Sequence, residues 1–572
     1  MKLLEKFDSL RPFDSDPRTR HYLRPTRIVK TSGDVTAPEE MLRDRSGQIS
    51  FDSTGCTVLK KGGMILLDFG REIHGSLRIL SQWTKPRRVT LTVRLGESVT
   101  EALTPVGERG STNDHANRDF SLTLSEYSGT DTNESGFRFA ALELSDGEEI
   151  GLKAVEGVLI VRDVDYVGSF ECPDQVINEI FDTAAYTAHL NMQEYMWDGI
   201  KRDRLVWIGD MHPEVMTICS VFGNSEVVPR SLDSVRDVTP LVAKSEGQRA
   251  MWMNGIPSYT LWWLMCQRDY YLQNGNLGYL SEQKSYLLGL VPILTALVGD
   301  DGREHVPAGR FLDWPTNGDE TALHCGLQGL LSLGLDALSY LCGVLGEDDS
   351  SALCHEKSEL MKNHIPEFKA KSASSLLALS GIADAKVIDD EVLAPGGAHG
   401  YSTFYSYYIM AAKAMAGKTS EALSDMKEYY GAMLKLGATT FWEDFDLDWT
   451  VNEKGEYDAN RIDEIVPEGG KDIHADFGRF CYTGLRHSFC HGWSSGPCTF
   501  IARHILGIKI LVPGCRKLEI KPAPCGLAFI RGTYPTPYGR VSVYADRDGK
   551  VEITAPKEIM ILAPDGAKVT KV

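Results

Sequence analysis

Apolar and polar positions alternate along the first 165 residues. V-T-L-T-V-R-L (89–95), F-S-L-T-L (120–124), F-R-F-A-A-L-E-L (137–144) and I-G-L-K-A-V-E-G-V-L-I-V-R (150–162) carry the pattern, with Gly, Asp, Asn and Ser between them. A period of two belongs to strands with one buried face. Short strands at this spacing predict an antiparallel sandwich. After F-E-C-P-D (170–174) the period changes. Pro173 and Asp174 mark a helix start, and V-I-N-E-I-F-D-T-A-A-Y-T-A-H-L follows with helical spacing. Helical patterns then dominate to about residue 506, as in 257–273, 279–298, 320–345, 401–416 and 419–436. Beyond Gly507 the alternation returns in I-K-I-L-V-P-G, K-L-E-I-K-P, G-R-V-S-V-Y-A and K-V-E-I-T.

The pattern predicts a multidomain α+β chain. A β-sandwich domain spans 1–168, a helical domain 169–507 and a small β-sandwich domain 508–572. Ten to thirteen helices without a fixed-period repeat favour six helical hairpins closed into a ring, an (α/α)6 barrel, over a solenoid.

At 572 residues the chain is too long for one ordinary core. A net charge of −19 argues against nucleic acid or an anionic membrane as partner. The segment M-K-L-L-E-K-F-D-S-L-R-P has no apolar stretch of the secretory kind, and the apolar run Leu288–Val298 is far short of a membrane span. Twelve cysteines without a C-x-x-C pair fit reduced thiols better than a disulfide framework or a zinc site. The expectation is a cytoplasmic protein with no metal and no cofactor; a homodimer is left open.

Chemistry concentrates in the helical region. Met196–Glu214 packs Asp198, Lys201, Arg202, Asp203, Arg204, Asp210, His212 and Glu214 between and beside Trp197 and Trp207. Charges this dense beside indoles must be paired if buried. They suit a polar ligand with apolar faces, a sugar above all, and equally a structural ion-pair network at a helix start. Asp210 precedes M-H-P-E, where Pro213 fits a first helical turn, so it is also a candidate helix cap. Nine of the ten tryptophans lie between 197 and 493. Several adjoin acids in breaks between helices: Asp313-Trp314, Trp442-Glu443-Asp444, and the pair His491 and Trp493. A glycosidase needs two carboxyl groups flanking the scissile bond, one giving a proton and one acting as base or nucleophile. Asp198, Asp203 and Asp210 are candidates for the first and Glu443 for the second. The acid run Asp444, Asp446 and Asp448 near Glu443 has a divalent cation as one reading, but it lacks an EF-hand glycine pattern and reads as solvated. In G-S-T-N-D-H-A-N-R-D (110–119), Asn113, Asp114, His115 and Arg118 are candidates for facing a ligand, with turn chemistry or a domain contact as the plainer reading.

Several of these segments resemble one family. R-D-R-L-V-W-I-G-D is similar to the R-D-E-R-L-G-W-T-G-D signature of the α-L-rhamnosidases of glycoside hydrolase family 78, with Asp203 where most members show Glu. G-A-T-T-F-W-E resembles the segment carrying that family's general base, which falls on Glu443. H-G-W-S-S-G-P resembles a segment whose His contacts sugar, which falls on His491. P-T-P-Y-G-R-V-S-V near the C-terminus is a further match. The resemblance implies an inverting, exo-acting α-L-rhamnosidase with Asp203 as general acid. It implies a rhamnose subsite drawn from Asp198, Arg202, Trp207, Asp210, Asp313, Trp314, Trp442, His491 and Trp493, and small rhamnosides as substrates. Without it, the residues do not choose between Asp198 and Asp203. Another glycoside on the same architecture, or a non-catalytic carbohydrate-binding protein, are the alternatives.

Overall fold

The computed structural model of the chain describes residues 6, 7, 9, 15–44, 47–241 and 252–572. Residues 1–5, at the head of the stretch read for a signal segment, lie outside them.

The N-terminal strands form one antiparallel sheet of ten strands. Its spine is the 22-residue strand Met64–Lys85, which pairs with Ser135–Asp146, Glu149–Arg162, Arg27–Ser32 and Ser128–Asp131 along different parts of its length. A strand that changes partners along its length folds the sheet over on itself, giving a sandwich-like body. The predicted alternation is real: in Arg88–Gly96, Val89, Leu91, Val93 and Leu95 point into a core shared with Ile65, Leu67, Leu77 and Leu142.

Ten helices of nine or more residues follow among the described residues. They are α1 (Gln175–Asn191), α2 (Met211–Val221), α3 (Val227–Asp237), α4 (Pro257–Asn274), α5 (Leu277–Thr295), α6 (Glu320–Val344), α7 (Asp348–Met361), α8 (Lys371–Leu379), α9 (Ser406–Met415) and α10 (Thr419–Lys435). Their ends are written in the sequence. Asp174 caps α1 through Val176 N–H at 3.1 Å, and Asp319 caps α6 through Thr321 and Ala322 N–H at 3.0 Å each. Helix α4 opens on Pro257 and closes on Gly275 at φ 64°, a left-handed end that glycine adopts without strain. Helix α2 packs on α4, α4 on α6, α6 on α8, α8 on α9, α9 on the helical segment 497–505, and that segment back on α2. The contacts close a circuit. Helices α1, α3, α5, α7 and α10 each pack against members of it. All eleven residues of α2 are buried, as an element in the middle of such an arrangement must be. Helix α6 is long and apolar enough to cross a membrane by length and composition, and two thirds of its apolar window is buried in this circuit.

The C-terminal strands make a five-stranded and a three-stranded sheet. Strand Ser169–Glu171, just ahead of α1, joins the larger one by pairing with Phe529–Thr536. Helices and C-terminal strands share one apolar cluster running from Phe170 to Ile559. None of the twelve cysteines, all of them among the described residues, forms a disulfide.

Candidate active site

The chemistry gathers where the inner helices begin. Loop 197–210 leads into α2, Tyr259 lies in the first turn of α4, 311–316 leads toward α6, 401–405 into α9, and 487–495 into the segment 497–505. Two backbone contacts stitch the first of these to the last: Gly199 and His491 form an isolated bridge, and Gly492 N–H donates to Asp198 O at 2.8 Å.

Arg202 is the centre of the site. Its side chain is buried, its Nη2 donates to both carboxylate oxygens of Glu443, and its Nη1 lies 3.3 Å from Asp203 Oδ1. Its Nε donates to Arg486 O at 3.1 Å. Glu443 is fixed from several directions. Ser488 N–H donates to Oε2 at 3.2 Å, while Thr403 Oγ1 and Trp493 Nε1 donate to the Glu443 carbonyl at 2.6 and 3.0 Å. Burial raises the Glu443 carboxyl above its ordinary range, against the opposing pull of Arg202.

Asp203 sits differently. Its backbone and that of Arg204 adopt φ 58° and 53°, two consecutive left-handed residues that are not glycine. Such conformations cost about 1–3 kcal/mol each and persist only where surrounding contacts impose them. Here Trp207 Nε1 donates to Asp203 Oδ2 at 3.0 Å and His115 Nδ1 lies 3.0 Å from Oδ1. Arg204 turns away: it donates to the carbonyls of Glu134 and His115 and lies over Trp197.

Behind this pair lie more acids. Asp198 is buried and accepts from Leu205 N–H at 3.0 Å. Burial, with Asp203 and Asp210 nearby, holds its carboxyl well above the usual range. Asp210 is raised in the same way, mainly by burial, and accepts from Tyr259 OH at 2.9 Å. It occupies the N-cap position of α2 but makes no cap hydrogen bond, so the capping role open in the sequence is not the one its side chain plays. His491 Nε2 lies 3.8 Å from Glu443 Oε1 and 3.9 Å from Asp198 Oδ2. Burial, then Arg202 and His487, push its pKa well below the ordinary value, which keeps the ring neutral.

A second group adjoins. Asp313 accepts from Thr316 N–H at 3.0 Å and from its hydroxyl, and burial lifts its pKa to about 6. Asp313 Oδ2, the Tyr405 hydroxyl and His491 Nδ1 are buried without a hydrogen-bond partner among the described residues. An unmet buried polar group costs about 1–3 kcal/mol. Sugar hydroxyls are groups that satisfy such atoms.

The tryptophans divide. Trp207 meets Tyr259 edge to face, and Trp493 stacks on Phe404 at 5.2 Å and leans on His491 at 4.1 Å. Trp314 stacks on Phe480 at 6.2 Å. Trp442 is fully buried and stacks on Phe489 at 4.2 Å. The acid run is solvated at Asp448 but not at Asp444. Asp444 is buried and Arg479 spans it and Asp446, while Asp448 pairs with exposed His399. Of the 110–119 candidates, Asn113 and Arg118 serve the turn and the fold, Asp114 pairs with Arg486, and His115 reaches Asp203.

Four residues at the site were given no role of their own in the sequence reading. Tyr259 and Tyr405 are hidden in helical patterns, and Tyr482 lies under Arg202 at 5.9 Å. The fourth, Glu214, is buried with both oxygens unpartnered among the described residues. Its carboxyl abuts Gly492, where a Cβ would fall 1.1 Å from Oε1. The N-terminal sheet also supports the site. Glu101 and Glu97 hold buried Lys201 at 2.8 and 3.3 Å. Glu97, Glu101 and His474 have the spacing of a cation site, but the Lys201 ammonium already supplies the positive charge there.

Residues 165–324 match the model of the bacterial alpha-L-rhamnosidase 6 hairpin glycosidase domain. The chain is therefore similar to the α-L-rhamnosidases of glycoside hydrolase family 78, which are glycoside hydrolases. Solved structures agree on the fold. A GH78 family rhamnosidase of Bacillus sp. GL1 is 22% identical at TM-score 0.73, covering 91% of this chain and 55% of that one. A rhamnosidase from Klebsiella oxytoca with rhamnose bound is 19% identical at TM-score 0.65, covering 85% and 95%. The Streptomyces avermitilis alpha-L-rhamnosidase complexed with L-rhamnose is 18% identical at TM-score 0.65, covering 85% and 46%. This chain thus spans about half the length of the Bacillus and Streptomyces rhamnosidases. Comparison with curated proteins gives no match.

Proposed function

We propose that the protein is an inverting, exo-acting α-L-rhamnosidase that removes terminal α-L-rhamnosyl units from small rhamnosides. The observation that carries this reading is the pair Asp203 and Glu443 set on different nitrogens of one buried guanidinium. Asp203 is partly solvent-accessible and gives its proton to the glycosidic oxygen. The C1–O bond breaks, water attacks C1 from the opposite face, and the water proton passes to Glu443. Inversion requires about 6.5–9.5 Å between the carboxyl groups, enough for that water. Asp198, Asp210, Asp313 and neutral His491 take the sugar hydroxyls, and Trp207, Trp314 and Trp493 supply apolar surface for the 6-methyl group. The rhamnose-bound relatives support a small sugar as ligand.

The closed helix circuit fits an (α/α)6 barrel over 169–507, carrying the site at one mouth between the β domains. Thiols not joined in disulfides suit a cytoplasmic setting. A second assignment of the acid has one observation in its favour: the buried carboxyl of Asp198 is held well above its usual range and so retains a proton.

The test is hydrolysis of aryl α-L-rhamnoside, α-L-fucoside and α-glucoside by purified protein, followed by NMR. Turnover of the rhamnoside with β-L-rhamnose as first product is expected. Turnover of another glycoside alone, or α-anomer first, contradicts the reading.

A further inference from the structure

The N-terminal β domain presents a cleft directly beside Asp203. It has a volume of about 540 Å³ and is lined by Asn113, His115, Ala116, Asn117, Thr132, Asn133, Glu134 and Arg204. That volume lies within the roughly 300–1,000 Å³ of small-ligand sites. Its wall reaches the chemistry: His115 Nδ1 stands 3.0 Å from Asp203 Oδ1. His115 is held there by a left-handed backbone at φ 65° and by Arg204, which donates to His115 O at 2.6 Å and to Glu134 O at 3.2 Å. Arg204 thereby ties the two rims of the cleft to the catalytic loop.

Asp203 Oδ1 is shared by the two groups: Arg202 Nη1, which belongs with Glu443 and the buried acids, stands 3.3 Å from it, and His115 Nδ1, on the cleft wall, stands 3.0 Å from it. A general acid must touch the oxygen that joins the cleaved sugar to its leaving group. With the rhamnosyl ring among the buried acids, the leaving group extends toward His115. The lining is made of amides, a hydroxyl, an imidazole, a carboxylate and a guanidinium, with Ala116 as its single apolar member and no Phe, Tyr or Trp ring. Flat aromatic aglycones are recognised by apolar and aromatic walls, whereas hydroxyl-rich groups are recognised by side chains of these kinds.

We propose that this cleft is the leaving-group subsite and that it takes a sugar, so that the preferred substrates are rhamnosyl oligosaccharides and not flavonoid-type rhamnosides. The proposal rests on the rhamnosidase reading above.

The test uses Asn117, which is exposed on the rim, in Asn117→Trp and Asn117→Arg variants that fill the cleft without touching a buried contact. Three substrates are compared by kcat/KM: α-L-rhamnosyl fluoride, an α-L-rhamnosyl-glucose disaccharide and a flavonol rhamnoside. Fluoride needs neither the cleft nor a proton donor. The wild type is expected to favour the disaccharide over the flavonol rhamnoside at least tenfold. Both variants are expected to lose at least tenfold more on the disaccharide than on the fluoride. Equal losses on the two, no loss on either, or a preference for the flavonol rhamnoside overturns the subsite. A wild type inactive on the fluoride and on both rhamnosides overturns the rhamnosidase reading itself, and the subsite with it.

Discussion

Asp203 and Glu443 are joined through one guanidinium: Arg202 Nη1 lies 3.3 Å from Asp203 Oδ1, and Nη2 donates to both oxygens of Glu443. The residues are 240 positions apart in the chain, and the fold brings them to one side chain. Arg202 is therefore both the positioning element for the two carboxyl groups and the charge that offsets a buried glutamate.

Removing that cation leaves Glu443 buried and unpaired. Arg202→Met is expected to destabilise the fold by about 3–5 kcal/mol, the usual cost of breaking a buried pair from one side. Adding Glu443→Gln to Arg202→Met should recover part of this loss. Urea denaturation of the three variants measures it, and a double variant no more stable than Arg202→Met contradicts the coupling.

Glu214 gives the stability a pH dependence. Burial, then Asp198 and Asp210, raise its pKa well above the ordinary 4.5. A raised carboxyl favours folding fully below its unfolded pKa, and the contribution is lost as pH rises through the folded pKa. Glu214→Gln removes this loss. The variant should therefore gain on the wild type as pH rises from 4 to 8, by at most about 1.4 kcal/mol per pH unit. A stability difference that is flat with pH, or that falls, counts against a neutral buried Glu214.

Lys201 tests how the N-terminal domain supports the site. Its ammonium is the counter-charge to Glu97 and Glu101, and burial raises Glu97 to about 7 even beside it. Lys201→Met should cost about 3–5 kcal/mol and impair activity through the neighbouring Arg202 and Asp203. If Lys201→Met keeps full stability in urea and full activity, the sheet does not support the loop in this way.

Much of this was legible in the sequence. Alternation in 89–95 gave a real strand, and Pro257 and Gly275 sit at the ends of a real helix, because period, caps and turns are local signals. The site loops were marked by acids beside tryptophans, which solvated loops seldom combine. Long-range partners left no such mark. Tyr259 occupies an ordinary helical position, and nothing near it in sequence indicates that its hydroxyl meets Asp210. The run Asp444–Asp446 reads as solvated until Arg479 is placed across it. His115 was one candidate among four in its loop, and only the fold sets it apart by bringing it to Asp203.

The most direct test of the two-carboxyl account is the leaving-group dependence of three variants. Nitrophenolate departs with little protonation, whereas a sugar alkoxide needs it, and general acid catalysis supplies about 10²–10⁴-fold. Asp203→Asn should lose far more activity on a rhamnosyl disaccharide than on nitrophenyl α-L-rhamnoside. Glu443→Gln should lose heavily and similarly on both, because every substrate needs an activated water. Asp198→Asn should be impaired without strong dependence on the leaving group. If Asp198→Asn shows that dependence and Asp203→Asn does not, the acid is Asp198 and the central assignment is wrong.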